Sequence, residues 1–497
     1  MISHKKYQFN LKLKKKINFI LFEEIKNKKI NPVPTFVEYS NKKKYGFLFE
    51  SVEKEVIRGR YTICGYNPQI IIKDKNNKLS IKTKNRNKII YKKNPLSVIS
   101  EIITKLKFSN SKLLPPMASA FFGYFGYETI NYIENISKKK KKDDLNLPDS
   151  ILFLPKFIII HDNKINKIII SSPILFNETK EDDYEKIISE FESIKRNLMK
   201  KIAVQSIKFN KRRKIKPRSN ISKVKFINNI KRVKEYIRNG DIFQAVIGQR
   251  FEVNYNLSAK SLYQVLRKTN PSPFMFIFNF PDFNIVGSSP EILVRVKDSN
   301  VTIRPIAGTR PRGKNKNIDI KNEKELLSDN KELSEHLMLL DLGRNDVGKV
   351  SSKNSVIVTS SFFIERYSHV MHIVSNVEGK LKKGLTSFDA LMSGFPAGTV
   401  SGAPKIRAME IIDELETYKR GVYGGGIGYF SSTNEMDTCI ALRTSIIKNN
   451  KLYVQAGGGI VYDSNPQKEF DESVNKAKAI FNAAEISLGN YYDIDYR

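Results

Sequence analysis

Two pairs of glutamates have the residue type and spacing to do chemistry together. Glu332 and Glu335 lie three residues apart in the stretch Leu326 to Gly348, LLSDNKELSEHLMLLDLGRNDVG, where Leu333, Leu337 and Leu340 recur at helical spacing. With His336 at the next position, the spacing predicts two carboxylates and an imidazole on one face of a helix. Glu469 and Glu472 repeat the interval just inside a second expected helix, whose start is signalled by Ser464-Asn465-Pro466. Carboxylates one turn apart repel each other, and a shared divalent cation relieves that repulsion. Either pair alone also describes a solvated helix face, or first-turn acids that suit the helix dipole. Both together, each beside a glycine-containing run, predict a four-carboxylate magnesium site.

Around these pairs lie Gly287-Ser288-Ser289-Pro290-Glu291, Ile303 to Arg312, Phe395 to Lys405, Tyr423 to Tyr429, and Ala456 to Ile460. Glycine clusters let backbone amides approach an anion closely, although a sharp turn explains any one of them. Several such clusters with Arg443 and the glutamate pairs predict a small, multiply anionic, metal-bridged substrate.

Positioning these residues falls to a chain of 497 residues, more than one core accommodates, so two or more subdomains are expected. Thirty Phe and 22 Tyr supply ample apolar surface to bury. The formal net charge of +35 could signal nucleic acid. Its lysines, however, are scattered through every segment among Asn and Ile, as in an AT-rich coding sequence, and no nucleic-acid-binding signature accompanies them. The dense run Lys138 to Lys142, followed by Asp143-Asp144, reads as a solvated loop. Two cysteines, Cys64 and Cys439, exclude a disulfide framework or a thiolate metal site and predict a reduced, cytoplasmic protein. No apolar run approaches the roughly 18 residues of a membrane span, and basic residues 1–16 lack the apolar core of a signal peptide, so a soluble chain is expected.

Residues 17–31 are expected to form a short amphipathic helix stopped by Asn31-Pro32. Strands are expected at Tyr45 to Ser51, from Arg58, at Ile70 to Ile72 beyond a hairpin-like turn over Gly65 to Pro68, at Phe121 to Tyr127, Leu152 to His161 and Lys167 to Ser172. A charged helix from Glu181 to about Ile202 leads to Lys211 to Lys214 and Pro217. These mark the expected boundary between a largely β region, 1–215, and a second region, 216–497. There Ser222 caps a helix ending at Asn239-Gly240, and Asp241 to Phe251 follows as a strand.

The run from Asp241 to about Lys478 resembles the chorismate-binding enzymes through PIAGTRPRG, ExxEHLMLLDLGRND, PAGTVSGAPK and AGGGIVYDSNPxxEFxE. The whole chain is similar to the anthranilate-forming large subunits of that family. The resemblance implies an α/β protein of the α+β type, with two large, mostly antiparallel sheets stacked between helices. Region 1–215 would be regulatory and partner-binding, and region 216–497 the catalytic chorismate-binding domain. Mg²⁺ is the implied cofactor, ligated by Glu335 and Glu472 with Glu332 and Glu469 holding its waters, so that it neutralises the ring carboxylate of chorismate. Thr399, Gly308, Thr309, Gly458 and Gly459 would line the substrate pocket. Tyr423 and Arg443 would hold the enolpyruvyl carboxylate. Glu291 resembles the acid assisting departure of the ring hydroxyl, and His372 the group serving the later elimination of pyruvate. His369, three residues earlier, matches no family role.

Two positions separate sister activities. Where water-adding members carry a lysine base, this chain has Gln244, which does not deprotonate water at a useful rate. Where aminodeoxychorismate synthases carry a lysine nucleophile in PIKGT, it has Ala307, which leaves ammonia to attack C2 directly. The expected reaction is therefore a lyase step from chorismate and ammonia to anthranilate and pyruvate, opening tryptophan biosynthesis. An aminodeoxychorismate synthase large subunit is one alternative, and a basic nucleic-acid-binding protein is one from another class. Neither cysteine lies in the context of a glutaminase nucleophile, so a separate glutamine amidotransferase subunit is the expected partner, in a heterotetramer. Leu48-Phe49-Glu50-Ser51 resembles the family's LLES tryptophan site, and Asn270-Pro271-Ser272-Pro273-Phe274-Met275 its partner segment. Feedback inhibition by L-tryptophan is implied, with Glu50 or a neighbouring carbonyl reading the amino group and Ser51 fixing the ligand. Phe274 stands where the family usually has Tyr.

Overall fold

A computed structural model describes residues 2–26, 32–52, 59–92, 94–136, 140–200, 211–367 and 370–490. Two long strands, Tyr61–Lys75 and Ser150–Asp162, pair with each other and distribute their remaining partners between two sheets. The first sheet runs from Phe19–Lys26 and Lys167–Ile174 through these strands to Gly46–Glu50, Phe274–Asn279, Asn284–Ser289, Thr444–Lys448, Lys451–Ile460 and Gln244–Asn254. The second leaves Ser150–Asp162 through Ala120–Phe125, Gly426–Ser431, Met436–Ile440, Ile292–Lys297 and Asn300–Ile303. It ends on Val370–Lys380, which also pairs with Ile306–Pro311 and Ile357–Arg366. All these ladders are antiparallel, and the chain has the expected α+β architecture.

Alternation across the strands explains the layering. Phe47, Phe276 and Phe278 of the first sheet meet Phe122, Phe153 and Phe430 of the second in one core. Phe47 stacks on Phe122 with ring centroids 4.0 Å apart. The next residues along the same strands, Leu48, Met275 and Ile277, turn to the other face. There Phe36, Phe191, Leu262 and Ile480 meet them from the helices Val33–Lys42, Asp183–Met199, Ala259–Thr269 and Pro466–Gly489. Helices Asn330–Val350 and Ser387–Gly394 pack on the second sheet through Leu340, Val347, Phe388 and Leu391. Two sheets thus lie between helices. The pairing of Gly46–Glu50 with Phe274–Asn279 carries one sheet through both sequence regions, while residues 211–217 have neither helix nor strand.

Several expectations are corrected. The helix expected over residues 17–31 is instead the strand Phe19–Lys26, with the helix upstream at Lys6–Lys14. Phe19, Ile20 and Leu21 are buried, and the strand finds its partner in Lys167–Ile174, far along the chain. Residues 27–31 lie outside the described residues. Gly65 to Pro68 make no hairpin turn: the strand continues through them, absorbing the irregularity as a bulge between Pro68 and Ile70. Within the run expected as a solvated loop, residues 137–139 lie outside the described residues, but Lys141 pairs with Asp413 at 3.3 Å and Asp143 with Lys75 at 2.8 Å. Leu337, expected on the apolar face of its helix, is 50 % exposed, whereas Leu339 and Leu340 are buried. Ser222, by contrast, caps Lys223–Arg238 as expected, accepting the Lys225 N–H at 3.3 Å.

Candidate active site

Helix caps present the glutamate pairs. Asp329 opens Asn330–Val350 by accepting the N–H groups of Lys331 and Glu332 at 3.0 and 3.3 Å. Asn465 opens Pro466–Gly489 in the same way, at 3.0 Å from Gln467 and 3.1 Å from Lys468. Glu332, Glu335, Glu469 and Glu472 therefore lie in or near the first turns of their helices. Arg310 donates to Glu332 at 3.1 Å and to Asp329 at 2.7 Å, tying the first cap to the strand that carries Gly308 and Thr309. Ser464 donates to Glu469 at 2.7 Å, and Lys476 pairs with Glu472 at 2.7 Å.

Burial, and then the charge of Glu332, push the Glu335 carboxyl up. Burial also raises Glu469, with Glu472 adding to the rise and the Ser464 hydroxyl opposing it. Each pair feels a lysine of the other helix, Lys476 for Glu335 and Lys331 for Glu469. Glycines make the room between them. A Cβ at Gly308, which sits at φ 68°, would lie 3.3 Å from Glu332 Oε2, and one at Gly458 would lie 3.0 Å from Glu469 Oε2. One at Gly459 would strike Gln244 Nε2 at 2.0 Å. Gln244 itself donates to Glu335 at 3.3 Å.

Among the described residues, no three His, Cys, Asp or Glu side chains form a ready-made metal cage. Mg²⁺ does not require one, since it takes one or two carboxylates and completes its shell with water and substrate oxygens. Each pair has one carboxyl raised by burial and by its partner, and a glycine gap beside it, so the carboxylates present are of the kind that Mg²⁺ takes. His336 does not join them. One residue along a helix is about 100° of rotation from the last, and His336 turns into the core, with Nε2 2.6 Å from Ser375 Oγ and its ring 4.9 Å from that of Phe362. Burial holds its pKa down to about 4.

A second set of groups adjoins the glutamates. Glu291 lies between Asn284–Ser289 and Ile292–Lys297, is 7 % exposed, and receives the Thr399 hydroxyl at 3.0 Å. Burial pushes its carboxyl up to about 8, against the opposing effects of that hydroxyl and of the Arg443 charge. His372 Nδ1 lies 2.9 Å from the Gly308 carbonyl and 3.1 Å from Thr309 Oγ1. A carbonyl only accepts, so Nδ1 carries the hydrogen and Nε2 keeps its lone pair. Burial lowers this imidazole to about 4, opposed by the Gly308 carbonyl. Arg443 adopts φ 45°, a region sparse for any residue but glycine, and its carbonyl accepts the Ser288 N–H at 3.1 Å. Its guanidinium makes no ion pair or hydrogen bond among the described residues, with Tyr367 and Glu291 as its acidic neighbours. Burial pushes the Tyr423 phenol up to about 12, so it keeps its proton. His369 lies outside the described residues.

The segments expected to bind an inhibitor are brought together elsewhere on the first sheet. Glu50 pairs in register with Met275, and the Val52 N–H donates to the Ser272 carbonyl at 3.1 Å. Pro271, Ser272, Pro273 and Phe274 thus run beside Ser51, whose hydroxyl oxygen is buried with no hydrogen-bond partner among the described residues. The Glu50 carboxylate is engaged by Arg267 through two donors at 2.6 and 2.9 Å and by the Tyr263 hydroxyl at 2.5 Å. Arg267 and Tyr263 carry no signal in the sequence, because their partner lies more than 200 residues away. Arg310 lies inside the PIAGTRPRG motif, but its partners follow only from the fold. Cys64 and Cys439 are buried free thiols pushed upward by burial, which suits neither for a glutaminase.

Residues 47–482 match the family described as chorismate binding enzyme. The chain is 45 % identical over 460 residues to anthranilate synthase component 1 of Cereibacter sphaeroides, covering 91 % of this chain and 92 % of that one. It is 46 % identical over 444 residues to the protein of the same name from Acetivibrio thermocellus, covering 88 % and 90 %. Its fold is similar to the crystal structure of anthranilate synthase component I from Streptococcus pneumoniae, with a TM-score of 0.76 at 37 % identity, covering 92 % of this chain and 99 % of that one. A match over most of the length, together with an acid, an imidazole and an open arginine gathered beside two glutamate pairs, places the chain in the family of chorismate-binding enzymes.

Proposed function

We propose that this chain is the large subunit of an anthranilate synthase, converting chorismate and ammonia to anthranilate and pyruvate at the start of tryptophan biosynthesis in the cytoplasm. The observation that carries this reading is the pair formed by Glu291 and His372, both neutral at pH 7 and both beside Arg443. Arg443 and the Tyr423 hydroxyl bind the enolpyruvyl carboxylate, the arginine through its planar fork. Glu291 keeps its proton at neutral pH and donates it to the departing ring hydroxyl. Gln244 offers no amine base to deprotonate water, and Ala307 no nucleophile, so ammonia adds at C2. His372 Nε2 accepts the ring proton lost as pyruvate leaves, while Nδ1–H stays on the Gly308 carbonyl. Glu335 and Glu472, with Glu332 and Glu469 through water, would hold Mg²⁺, which supplies positive charge for the ring carboxylate.

Ammonia would come from a glutamine amidotransferase on a separate chain, in a heterotetramer. L-tryptophan would bind between Ser51 and residues 271–275. Because Glu50 is held by Arg267 and Tyr263, a neighbouring carbonyl would read the ligand's amino group. The test is anthranilate fluorescence from the purified chain with chorismate, Mg²⁺ and either ammonium or glutamine. Emission with ammonium alone supports the reading. Chorismate consumption without anthranilate would overturn it, and the product would name the sister activity; emission with glutamine would refute the separate partner.

A further inference from the structure

We infer that Arg420 is a positioning residue for this reaction, a buried clamp that holds the Thr399 turn, the Tyr423 loop and the strand opposite Gly459 in one arrangement. This rests on the roles proposed above for Thr399 and Tyr423. Arg420 is 3 % exposed and touches none of the glutamate pairs, yet four of its five N–H groups are engaged. Nε and one terminal nitrogen grip Glu416 at 2.8 and 2.6 Å. The other terminal nitrogen donates to the carbonyl of Val400, the residue after Thr399, at 2.7 Å. The nitrogen bound to Glu416 Oε1 also donates to the Val246 carbonyl at 2.7 Å, and Val246 is paired in register with Gly459. Glu416 extends the clamp by accepting the Gly248 N–H at 2.9 Å.

Two carbonyls on separate segments are thus held by one rigid fork. The fork cannot shorten or swivel independently at its two ends, so the distance between the Thr399 turn and the strand at Val246 is fixed by a single planar group. The loop after Arg420 is fixed from the other side. The Glu128 carboxylate accepts the Arg420 N–H at 2.7 Å and the Gly421 N–H at 2.9 Å, and the guanidinium lies over the rings of Tyr127 at 4.5 Å and Tyr423 at 5.6 Å. Lysine at this position would keep the charge but reach only one of the carbonyls.

The experiment compares wild type, Arg420→Lys, Thr399→Val and the double variant by steady-state kinetics with chorismate and ammonium from pH 6 to 9.5. Circular dichroism checks that each is folded. Arg420→Lys is expected to lower kcat/KM about 100-fold, the cost of a displacement near 1 Å. The alkaline limb of kcat should move upward, as in Thr399→Val, because the hydroxyl that favours ionised Glu291 is withdrawn while Arg443, its charged neighbour, is unchanged. Thr399→Val should cost wild type about tenfold but the Arg420→Lys background less than about threefold, since the contact is already lost there. Should Arg420→Lys not fold, the joint replacement of Arg420 by Met and Glu416 by Leu leaves no unpaired charge and serves the same comparison. Additive losses with an unmoved alkaline limb would overturn the positioning role. Absence of anthranilate from wild type would overturn the reaction itself.

Discussion

Replacing Glu291 with glutamine should abolish activity and stabilise the protein, and the two effects come from one buried carboxyl. Loss of a positioned general acid costs about 10²- to 10⁴-fold in kcat. The stability effect follows from linkage. In the folded chain the carboxyl titrates near 8 instead of its ordinary 4.5, so the folded state holds the proton more tightly than the unfolded one. That contribution is fully present below pH 4.5 and is lost as pH rises through 8. At 1.36 kcal/mol per pH unit, the interval amounts to about 5 kcal/mol. Glutamine is neutral throughout and loses nothing. An unfolding entropy of about 2.1 cal/mol/K per residue gives about 1 kcal/mol/K for 497 residues, so this difference corresponds to about 5 °C. Thermal midpoints of wild type and Glu291→Gln should lie close together at pH 5 and separate by several degrees at pH 9, with the variant higher. Wild-type kcat should fall above pH 8. A midpoint difference that is the same at pH 5 and pH 9 would refute the claim that burial keeps this acid protonated.

Three further outcomes are expected. Glu335→Gln should weaken Mg²⁺ binding by about tenfold or more in titration calorimetry without chorismate, and an unchanged isotherm would remove Glu335 from the metal site. His372→Ala should still consume chorismate while releasing less than a tenth of the pyruvate, with the aminated ring compound still bearing its enolpyruvyl group visible by mass; normal pyruvate release would free His372 of its role. Ser51→Phe should crowd the place where Ser51 runs beside residues 271–274, abolishing inhibition by L-tryptophan while kcat stays within about twofold; persistent inhibition would move the inhibitor elsewhere.

What could be read from the sequence was what short-range chemistry dictates. Ser222 and Asn465 are caps because their side chains reach N–H groups two or three residues on, so the helix starts that present Glu469 and Glu472 were visible without a fold. Phe19–Lys26 was not visible. Its apolar run is compatible with a helix face, and it becomes a strand because Lys167–Ile174 offers an edge about 150 residues away. His336 shows the same limit within a helix: spacing put it near the glutamates, and packing against Ser375 turned it inward. The residues proposed to bear the chemistry stand in long motifs that the sequence shows. The residues that hold them, Arg310, Arg267 and Arg420, were not legible there, because an arginine's role depends on carbonyls and carboxylates delivered from remote segments.

The same burial acts in opposite directions on the two groups proposed as acid and base. It raises Glu291 to about 8 and lowers His372 to about 4, so at neutral pH the acid holds its proton and the base lacks one. Neither then carries charge, and Arg443 keeps its full attraction for an anion instead of spending it on Glu291. The glutamate pairs pose the reverse problem. Beyond burial, Glu332 raises Glu335 and Glu472 raises Glu469, and carboxylates that repel each other in this way also repel a substrate carboxylate, even with Arg310 and Lys476 beside them. A ligand with two carboxylates would therefore meet Arg443 ready to receive one of them, and glutamate pairs that would accept the other only once a cation is bound. On the proposed reading the site would select by that asymmetry: Arg443 and Tyr423 would fix one carboxylate directly, and the glutamates would admit the other only together with divalent charge.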